Sequence, residues 1–287
     1  MIMNLRSTLM FRRVAIIGVG LIGGSLAKAI KKHRLAKEVV GVSQGHATLA
    51  TAMKEGVIDQ AYHDVGKAVA NADLVVLAAP VGIISGMLSM LGEHLRRGAI
   101  VTDVGSAKAQ IVTAAQKYLP AHVFFVGSHP LAGSEKRGVE FASAELFEKT
   151  SCIMTPTDKT HRVAKEKVKL LWTKVGAAVK FMPPEEHDKI LAYISHLPHM
   201  MAYALMETIP PDFLEYAAQG LKDTTRIAAS SPPMWTDIAL SNKKNLIKSL
   251  DELVKNVSII RKLISTGDQK NLQNIFKDAK TKRDGLA

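Results

Sequence analysis

Three glycines near the start of the chain restrict its possible folds more than any other feature. They occur in the run Gly18-Val19-Gly20-Leu21-Ile22-Gly23, which follows a β-branched segment and opens a helical pattern. In this context the first glycine permits a tight turn, the second lets a ligand approach the backbone, and the third lets strand and helix pack closely. The helix N-terminus would offer N–H donors and a positive dipole to a pyrophosphate. The run therefore predicts a dinucleotide site, rather than a purely structural turn, formed by Gly18, Gly20, Leu21, Ile22 and Gly23.

Short β-branched segments alternate with helical patterns over the first two thirds of the chain, which is typical of parallel βαβ units. The predicted strands are Val14–Gly18, Val39–Val42, Leu74–Ala78, Ala99–Asp103, Val123–Gly127, Cys152–Thr155 and Ala178–Met182. The clearest helical patterns between them are Leu21–Lys31, Ile83–His94, Lys108–Tyr118 and His161–Lys174. Together with the glycine run, this alternation predicts an α/β fold class, with an N-terminal Rossmann domain of mostly parallel sheet over residues 1–183.

After Pro183-Pro184 the strand signal fades and helical patterns take over. The clearest are Glu186–Glu207, Pro211–Leu221 and Asn242–Ser265, followed by a helix with a frayed tail over residues 270–287. We therefore expect an all-α domain over residues 184–287 that serves the substrate and dimerisation. The segment Ile190–Met206 is long and apolar enough to bury more than one face, so it predicts a homodimer through the helical domain. The alternative for its methionines is ordinary core packing.

The formal net charge of +12 calls for anionic partners. Nucleic acid, an anionic membrane surface, or a polyanionic substrate with a phosphorylated cofactor would each fit, although much of the excess charge has the spacing of a solvated helix face. The only cysteine, Cys152, lies in an apolar run, which favours a small buried side chain and excludes a disulfide framework. No secretory signal and no membrane-spanning apolar stretch is evident. These features predict a cytoplasmic protein.

The end of the second predicted strand bears on the choice of cofactor. An acidic residue often binds the adenine-ribose hydroxyls of NAD at this place, but here Ser43 and Gln44 follow the strand. Without a carboxylate, a 2′-phosphate would be tolerated, with Ser43, Gln44 and His46 as donors, although no arginine is present to clamp it. NAD and NADP both remain open. The loop Ala78-Ala79-Pro80-Val81, at the carboxyl end of the next long strand, is expected to line the nicotinamide side of the crevice.

Two further strand ends carry polar groups to the same edge of the sheet, where ligands bind in such folds. One is the segment Asp103–Lys108 and the other is Gly127–Glu135. A dehydrogenase must remove a hydroxyl proton as hydride leaves carbon, and an imidazole suits that task. His129 is therefore the candidate base, the alternative being a histidine that only caps a loop.

His196 and His199 are three residues apart and can share a helix face, which first suggests a metal site. No cysteine and no obvious third ligand accompanies them, and Pro198 interrupts the segment. We therefore predict no metal.

In combination, these motifs resemble the prephenate and arogenate dehydrogenase family. The resemblance rests on the glycine run and on two crevice loops, Asp103–Lys108 and His129–Glu135. It extends into the helical half through three further segments, Ser195–His199, Lys222–Ala228 and Pro233–Trp235. It covers nearly the whole chain, from Val14 to about Asp251.

The resemblance implies oxidative decarboxylation of prephenate to 4-hydroxyphenylpyruvate, or of arogenate to tyrosine, as a step of tyrosine biosynthesis that uses NAD or NADP. It implies that His129 accepts the hydroxyl proton, that Ser106 orients His129 by a hydrogen bond and faces the cofactor, and that Arg226 captures a substrate carboxylate. For Arg226 the alternative is a surface ion pair. His199 would hold the substrate side chain, and Glu135 with Lys222 would form a polar gate that Asp188 could join. For Glu135 and Lys222 the alternative is a solvated position on the surface. The remaining residues implied at the substrate are Ser134 and Trp235.

Two other hypotheses compete with a prephenate or arogenate dehydrogenase. The first is another Rossmann-plus-helical dehydrogenase, acting on 3-hydroxy acids or reducing a pyrroline. The second is a dinucleotide-sensing regulator that binds nucleic acid through its basic tail. His129, Ser106 and Arg226 argue against both, so the predicted partner is a small anionic substrate, with neither nucleic acid nor membrane. The choice between prephenate and arogenate, and feedback by tyrosine, stay open.

Overall fold

A six-stranded parallel sheet dominates the computed structural model, which describes residues 9–133, 136 and 138–286. Its strands are β1 (Phe11–Ile17), β2 (Ala36–Val42), β3 (Gln60–Tyr62), β4 (Leu74–Leu77), β5 (Ile100–Asp103) and β6 (Phe124–Val126). They lie in the order β3-β2-β1-β4-β5-β6. This order has its switch point between β1 and β4, where doubly wound sheets bind dinucleotides. The predicted Rossmann fold is confirmed, and the sequence missed only the short strand β3 in this sheet.

Both faces of the sheet are buried, as its continuous apolar strands require. In β1, Val14 and Ile16 belong to one apolar core while Ala15 and Ile17 belong to the other, because successive side chains of a strand point to opposite faces. The helices of this half are α1 (Leu21–Lys32), α2 (His46–Lys54), α3 (Val65–Val69), α4 (Val81–Leu91), α5 (Ala109–Tyr118) and α6 (Arg162–Lys174). Helices α1, α2 and α6 contribute to the first core, and α3, α4 and α5 to the second.

A second, three-stranded sheet follows the first in the chain. It consists of β7 (Ser128–Pro130), β8 (Ser151–Met154) and β9 (Ala178–Phe181), with β7 antiparallel to β8 and β8 parallel to β9. The predicted strands at 152–155 and 178–182 are therefore formed, but outside the parallel sheet. The chain passes from β6 to β7 at Gly127, where an added Cβ would lie 2.4 Å from Oγ1 of Thr155. This crossing places His129 in the middle of β7.

The remaining elements are helical. They are α7 (Pro184–Leu191), α8 (Leu197–Thr208), α9 (Gln219–Thr225), α10 (Pro232–Ser241), α11 (Lys243–Thr266) and α12 (Gln269–Asp284). A π-helical turn, Ala192–His196, joins α7 to α8, and the N–H of Leu197 reaches the carbonyl of Ala192. Because Pro198 has no N–H, it cannot bond to the carbonyl four residues earlier, which accounts for the wider turn. The helix predicted over 211–221 is wrong in part, since Pro211–Tyr216 is a 3-10 helix.

The chain divides into two compact units, Met1–Asn242 and Lys243–Ala287. The first contains both sheets and the helices up to α10, and the second consists of α11 packed against α12. The predicted domain boundary between residues 183 and 184 stays a prediction. Among the described residues, no helix has both the length and the hydropathy needed to cross a membrane.

Candidate active site

The three glycines of the first turn differ in what surrounds them. A Cβ added to Gly18, whose φ is +100°, would lie 2.2 Å from the carbonyl oxygen of Ala78, and one added to Gly23 would lie 2.1 Å from the oxygen of Gly18. A Cβ on Gly20 would meet no atom of the described residues within 4 Å. Folding therefore requires glycine at 18 and 23, whereas at 20 the protein itself imposes no such requirement. Space kept open at Gly20 fits the close approach of a pyrophosphate.

Helix α1 begins immediately after this open space. It starts at Leu21, followed by Ile22, and its N-cap residue Gly20 supplies no side-chain cap. The first N–H groups of a helix have no intrahelical partner, and their positive dipole end attracts phosphate. These residues fit the pyrophosphate of a dinucleotide.

Ser43 and Gln44 lie directly after β2, at the edge where the adenine ribose was predicted. The Oγ of Ser43 accepts the N–H of Gly45 at 3.3 Å, and the carbonyl of Ser43 lies 3.1 Å from Nδ1 of His63. The rings of His63 and His46 are adjacent, with centroids 4.1 Å apart. This edge therefore carries hydroxyl, amide and imidazole groups.

The predicted nicotinamide loop also lies at a strand end. Ala79 and Pro80 follow β4, and α4 begins at Val81. The next N–H, that of Gly82, donates to both carboxylate oxygens of Asp237 at 2.9 and 3.2 Å. The start of α4 is thus held by a residue of the helical part of the same unit.

His129 is buried and is the first of three side chains that are joined in a hydrogen-bonded series. Its Nδ1 lies 2.9 Å from Nε2 of His187, and Nδ1 of His187 lies 2.8 Å from Oδ1 of Asp188. All three side chains are buried. Among the described residues the hydrogen-bond partner of the His129 ring is thus His187, and the bond expected from Ser106 is not formed. Ser106 does lie after β5, at the carboxyl edge of the sheet.

A buried ion pair lies close to His129. Nζ of Lys108 contacts the carboxylate of Asp103 and donates to the carbonyl of Ser128 at 2.9 Å, and both charged side chains are fully buried. Burial holds the pKa of His129 well below its usual value, and the positive charges of His187, when protonated, and of Lys108 lower it further. His129 is therefore neutral at physiological pH, as a proton acceptor must be.

A second group of predicted residues meets on the helical side. The ring of His199 stacks on Trp235, with 3.4 Å between centroids and 20° between planes. Burial lowers the pKa of His199, and the nearby charge of Arg226 contributes to the same shift. His196 also faces Trp235, at 6.0 Å between ring centroids, and when protonated it is close enough to lower the pKa of His129. His129 is thus near His196, the rings of His196 and His199 both lie against Trp235, and His199 is near Arg226.

The other predicted substrate residues are placed as follows. Arg226 and Lys222 are exposed, on the 3-10 turn after α9 and on α9 itself. Ser134 and Glu135 lie outside the described residues. In the part of the chain that the structure describes, no three His, Cys, Asp or Glu side chains are grouped to hold a metal ion. The thiol of Cys152 is buried, which raises its pKa and keeps it protonated.

The sequence did not point to His187, nor to the capping role of Asp237. Asp188 was considered only for a gate, whereas its carboxylate accepts the N–H groups of Lys108 and Ala109 at 2.7 and 2.9 Å. His187 and Asp188 are adjacent just after a Pro-Pro pair, but their partners lie far away in sequence. The packing of α7 against α5 brings Asp188 to Lys108 and Ala109, and the same helix brings His187 to His129 of β7.

A dinucleotide turn at the switch point, with a buried neutral imidazole beyond the same sheet edge, defines a nicotinamide-dependent dehydrogenase. Comparison with known proteins agrees. Residues 26–181 match the nucleotide-binding domain of prephenate dehydrogenase, and residues 183–278 match the dimerization domain of that enzyme. The chain belongs to the prephenate dehydrogenase family and is an oxidoreductase.

Two curated relatives and one solved structure illustrate the similarity. The chain is 40% identical to a prephenate dehydrogenase of Bacillus subtilis, over 95% of this chain and 76% of the relative. It is 34% identical to a cyclohexadienyl dehydrogenase of Zymomonas mobilis, over 95% of each chain. The crystal structure of A. aeolicus prephenate dehydrogenase, in complex with hydroxyphenyl propionate and NAD+, superposes with a TM-score of 0.90 at 35% identity, covering 98% of this chain and 100% of that one.

Proposed function

We propose that this protein oxidises and decarboxylates prephenate to 4-hydroxyphenylpyruvate in tyrosine biosynthesis. The observation that carries the proposal is the buried, neutral His129 at the carboxyl edge of a dinucleotide-binding sheet. A bound nicotinamide dinucleotide would supply the hydride acceptor. His129 would take the proton of the ring hydroxyl as hydride leaves the same carbon, and the ring carboxylate would depart as carbon dioxide, which restores aromaticity.

The cluster of His199, Trp235 and Arg226 is proposed to hold the substrate. A guanidinium is always charged and its planar fork matches a carboxylate, so Arg226 would bind the acidic side chain. The Nε1–H of Trp235 is buried and has no acceptor among the described residues. A bound anion would satisfy such a donor. Lys222, Ser134, Glu135 and Ser106 remain proposed members of the same site.

We propose NAD+ as the preferred cofactor. The A. aeolicus structure holds NAD+, and no arginine follows β2 here to clamp a 2′-phosphate. The hydroxyl, amide and imidazole groups of Ser43, Gln44 and His46 bear no negative charge that would repel NADP+. We therefore expect NADP+ to be accepted with lower kcat/KM.

Assembly and location form the last part of the proposal. A match to a dimerization domain supports a homodimer through the helical half, with the domain boundary at residues 183–184. A buried thiol as the only cysteine fits a reducing cytoplasm.

The deciding experiment is a matrix of initial rates with two substrates, prephenate and arogenate, and two cofactors, NAD+ and NADP+. Reduction of the nicotinamide is followed by absorbance, and the product is identified by mass spectrometry. We expect the highest kcat/KM with prephenate and NAD+. The similarity to a cyclohexadienyl dehydrogenase makes arogenate the second candidate substrate. Absence of turnover in all four combinations would refute the proposed activity.

A further inference from the structure

Two buried side chains, those of His187 and Asp188, continue a hydrogen-bonded series behind the proposed base, His129. His129 lies on β7, and His187 and Asp188 are consecutive residues of α7. We propose that His187, anchored by Asp188, is a positioning residue that fixes His129 in the tautomer whose Nε2 is free to accept a proton. The kinetic part of this inference rests on the proposed function, whereas the tautomer itself does not.

The tautomers follow from the acceptor at the end of the series. The carboxylate of Asp188 accepts the N–H groups of Lys108 and Ala109 at 2.7 and 2.9 Å, so both of its oxygens act as acceptors. The contact of 2.8 Å from the same carboxylate to Nδ1 of His187 therefore requires a proton on that nitrogen. A neutral His187 then has a lone pair on Nε2.

The same reasoning extends to His129. Its Nδ1 lies 2.9 Å from the lone pair on Nε2 of His187, so this nitrogen must carry the proton and donate it. A neutral imidazole has one proton, which leaves Nε2 of His129 unprotonated. Burial lowers the pKa of both histidines, and the positive charge of Lys108 acts in the same direction on both. The charged or titratable groups that influence His129 are Lys108, His187 and His196.

This arrangement matters because only one tautomer can work as a base. If His129 carried its proton on Nε2, the nitrogen left for the substrate would be a donor. After His129 accepts the substrate proton on Nε2, its Nδ1–H still donates to His187, so the bond persists through the step. The negative charge of Asp188 at the far end favours the positive charge that forms.

Two substitutions of His187 separate positioning from packing. In His187→Gln, the amide Oε1 can occupy the place of Nε2 and accept the Nδ1–H of His129. In His187→Leu, the volume is kept but the acceptor is lost. Asp188 is a poorer place for the test, because its carboxylate also holds the N–H groups at the start of α5. Val168→Ala, in the core of α6, serves as the control for loss of stability alone.

The first measurement is ¹⁵N NMR of histidine-labelled protein, with the His129 signals assigned by their loss in His129→Asn. We expect a protonated Nδ1 and an unprotonated Nε2 in the wild type and in His187→Gln, and loss of that state in His187→Leu. A protonated Nε2 on His129 in the wild type would overturn the inference, and so would an unchanged tautomer in His187→Leu.

The second measurement is steady-state kinetics with thermal melting of each variant. We expect kcat to fall on the order of 10²-fold in His187→Leu and by less than about five-fold in His187→Gln, with KM for substrate and cofactor unchanged in both. Val168→Ala should melt earlier yet keep its kcat. Equal losses of kcat in the Gln and Leu variants would show that His187 only packs. If the wild type oxidises neither prephenate nor arogenate, the proposed function fails, and the NMR result still decides the tautomer.

Discussion

Replacement of each fingerprint glycine by alanine should separate folding from cofactor binding. The φ and ψ of Gly20 are −94° and −153°, which alanine can adopt, and within the described part of the chain its Cβ would meet no atom closer than 4 Å. Alanine is a poorer N-cap than glycine, by roughly 0.5–1 kcal/mol. Alanine also lowers the conformational entropy of the unfolded chain, which stabilises the folded protein by about 0.4–1 kcal/mol and offsets that cost. The free energy of unfolding of Gly20→Ala should therefore stay within about 0.5 kcal/mol of the wild type.

Gly23→Ala is the matched variant with the opposite expectation. Its Cβ would lie 2.1 Å from the oxygen of Gly18 and 3.0 Å from both Cβ of Ala78 and Cγ2 of Ile16. The backbone must move to relieve these close contacts, and overpacking of this kind costs about 1–3 kcal/mol. Alanine gains at most about 1 kcal/mol of helix propensity near the helix end. We expect a net loss of roughly 1–2 kcal/mol and a Tm lower by several degrees.

The assays are thermal melting of the free protein and titration of NADH by fluorescence. Gly20→Ala should melt with the wild type, but its Kd for NADH should rise at least about ten-fold, or 1.4 kcal/mol, because the methyl group occupies the space of the pyrophosphate. If Gly20→Ala bound NADH normally, the open space beside Gly20 would not be the phosphate site. A melting loss in Gly20→Ala equal to that of Gly23→Ala would refute the steric reasoning.

Three further expectations concern the site and its histidines. His129→Asn should lower kcat by about 10²- to 10⁴-fold with an unchanged Kd for NADH, as loss of a general base does, and an unchanged kcat would remove His129 from the mechanism. Arg226→Ala should raise KM for prephenate and leave kcat nearly unchanged, and a constant KM would make Arg226 structural. Burial lowers the pKa of His196 to about 4, so between pH 6.5 and 4 the unfolded chain binds more protons than the folded one. Its contribution to stability, about 3 kcal/mol, is thus present above pH 6.5 and lost as the pH falls towards 4. Tm measured against pH should show this decline, and His196→Gln should reduce it.

The sequence predicted the long parallel strands because each is a continuous apolar run bounded by loop residues. It missed β3 and β7, which are three residues long. β3 is largely exposed at the edge of the sheet and has no apolar run, and β7 was hidden within a loop after Gly127. Pairing with β8 makes β7 a strand, and sequence patterns do not show such pairing.

The candidate site was predictable to the extent that strand ends reveal it. His129 follows a predicted strand directly, so its place at the sheet edge could be inferred from the chain alone. The partner of its ring could not, because His187 is 58 residues away and reaches it through the packing of α7. The contact of His129 with His187 could not be inferred either, since neither the register of β7 nor the position of α7 is encoded locally, and the role of Ser106 stays a prediction.

The helices that follow Pro183, up to Asn242, supply hydrogen-bond acceptors to two helices that flank the parallel sheet. Neither α4 nor α5 has a side-chain cap or an acidic residue in its own first turn. Asp237 accepts the N–H of Gly82 at the start of α4, and Asp188 accepts two N–H groups at the start of α5. Carboxylates at helix N-termini are typically worth about 0.5–2 kcal/mol each. Because Asp188 also contacts Nδ1 of His187, the carboxylate that stabilises the start of α5 is the same one that we propose anchors the partner of His129.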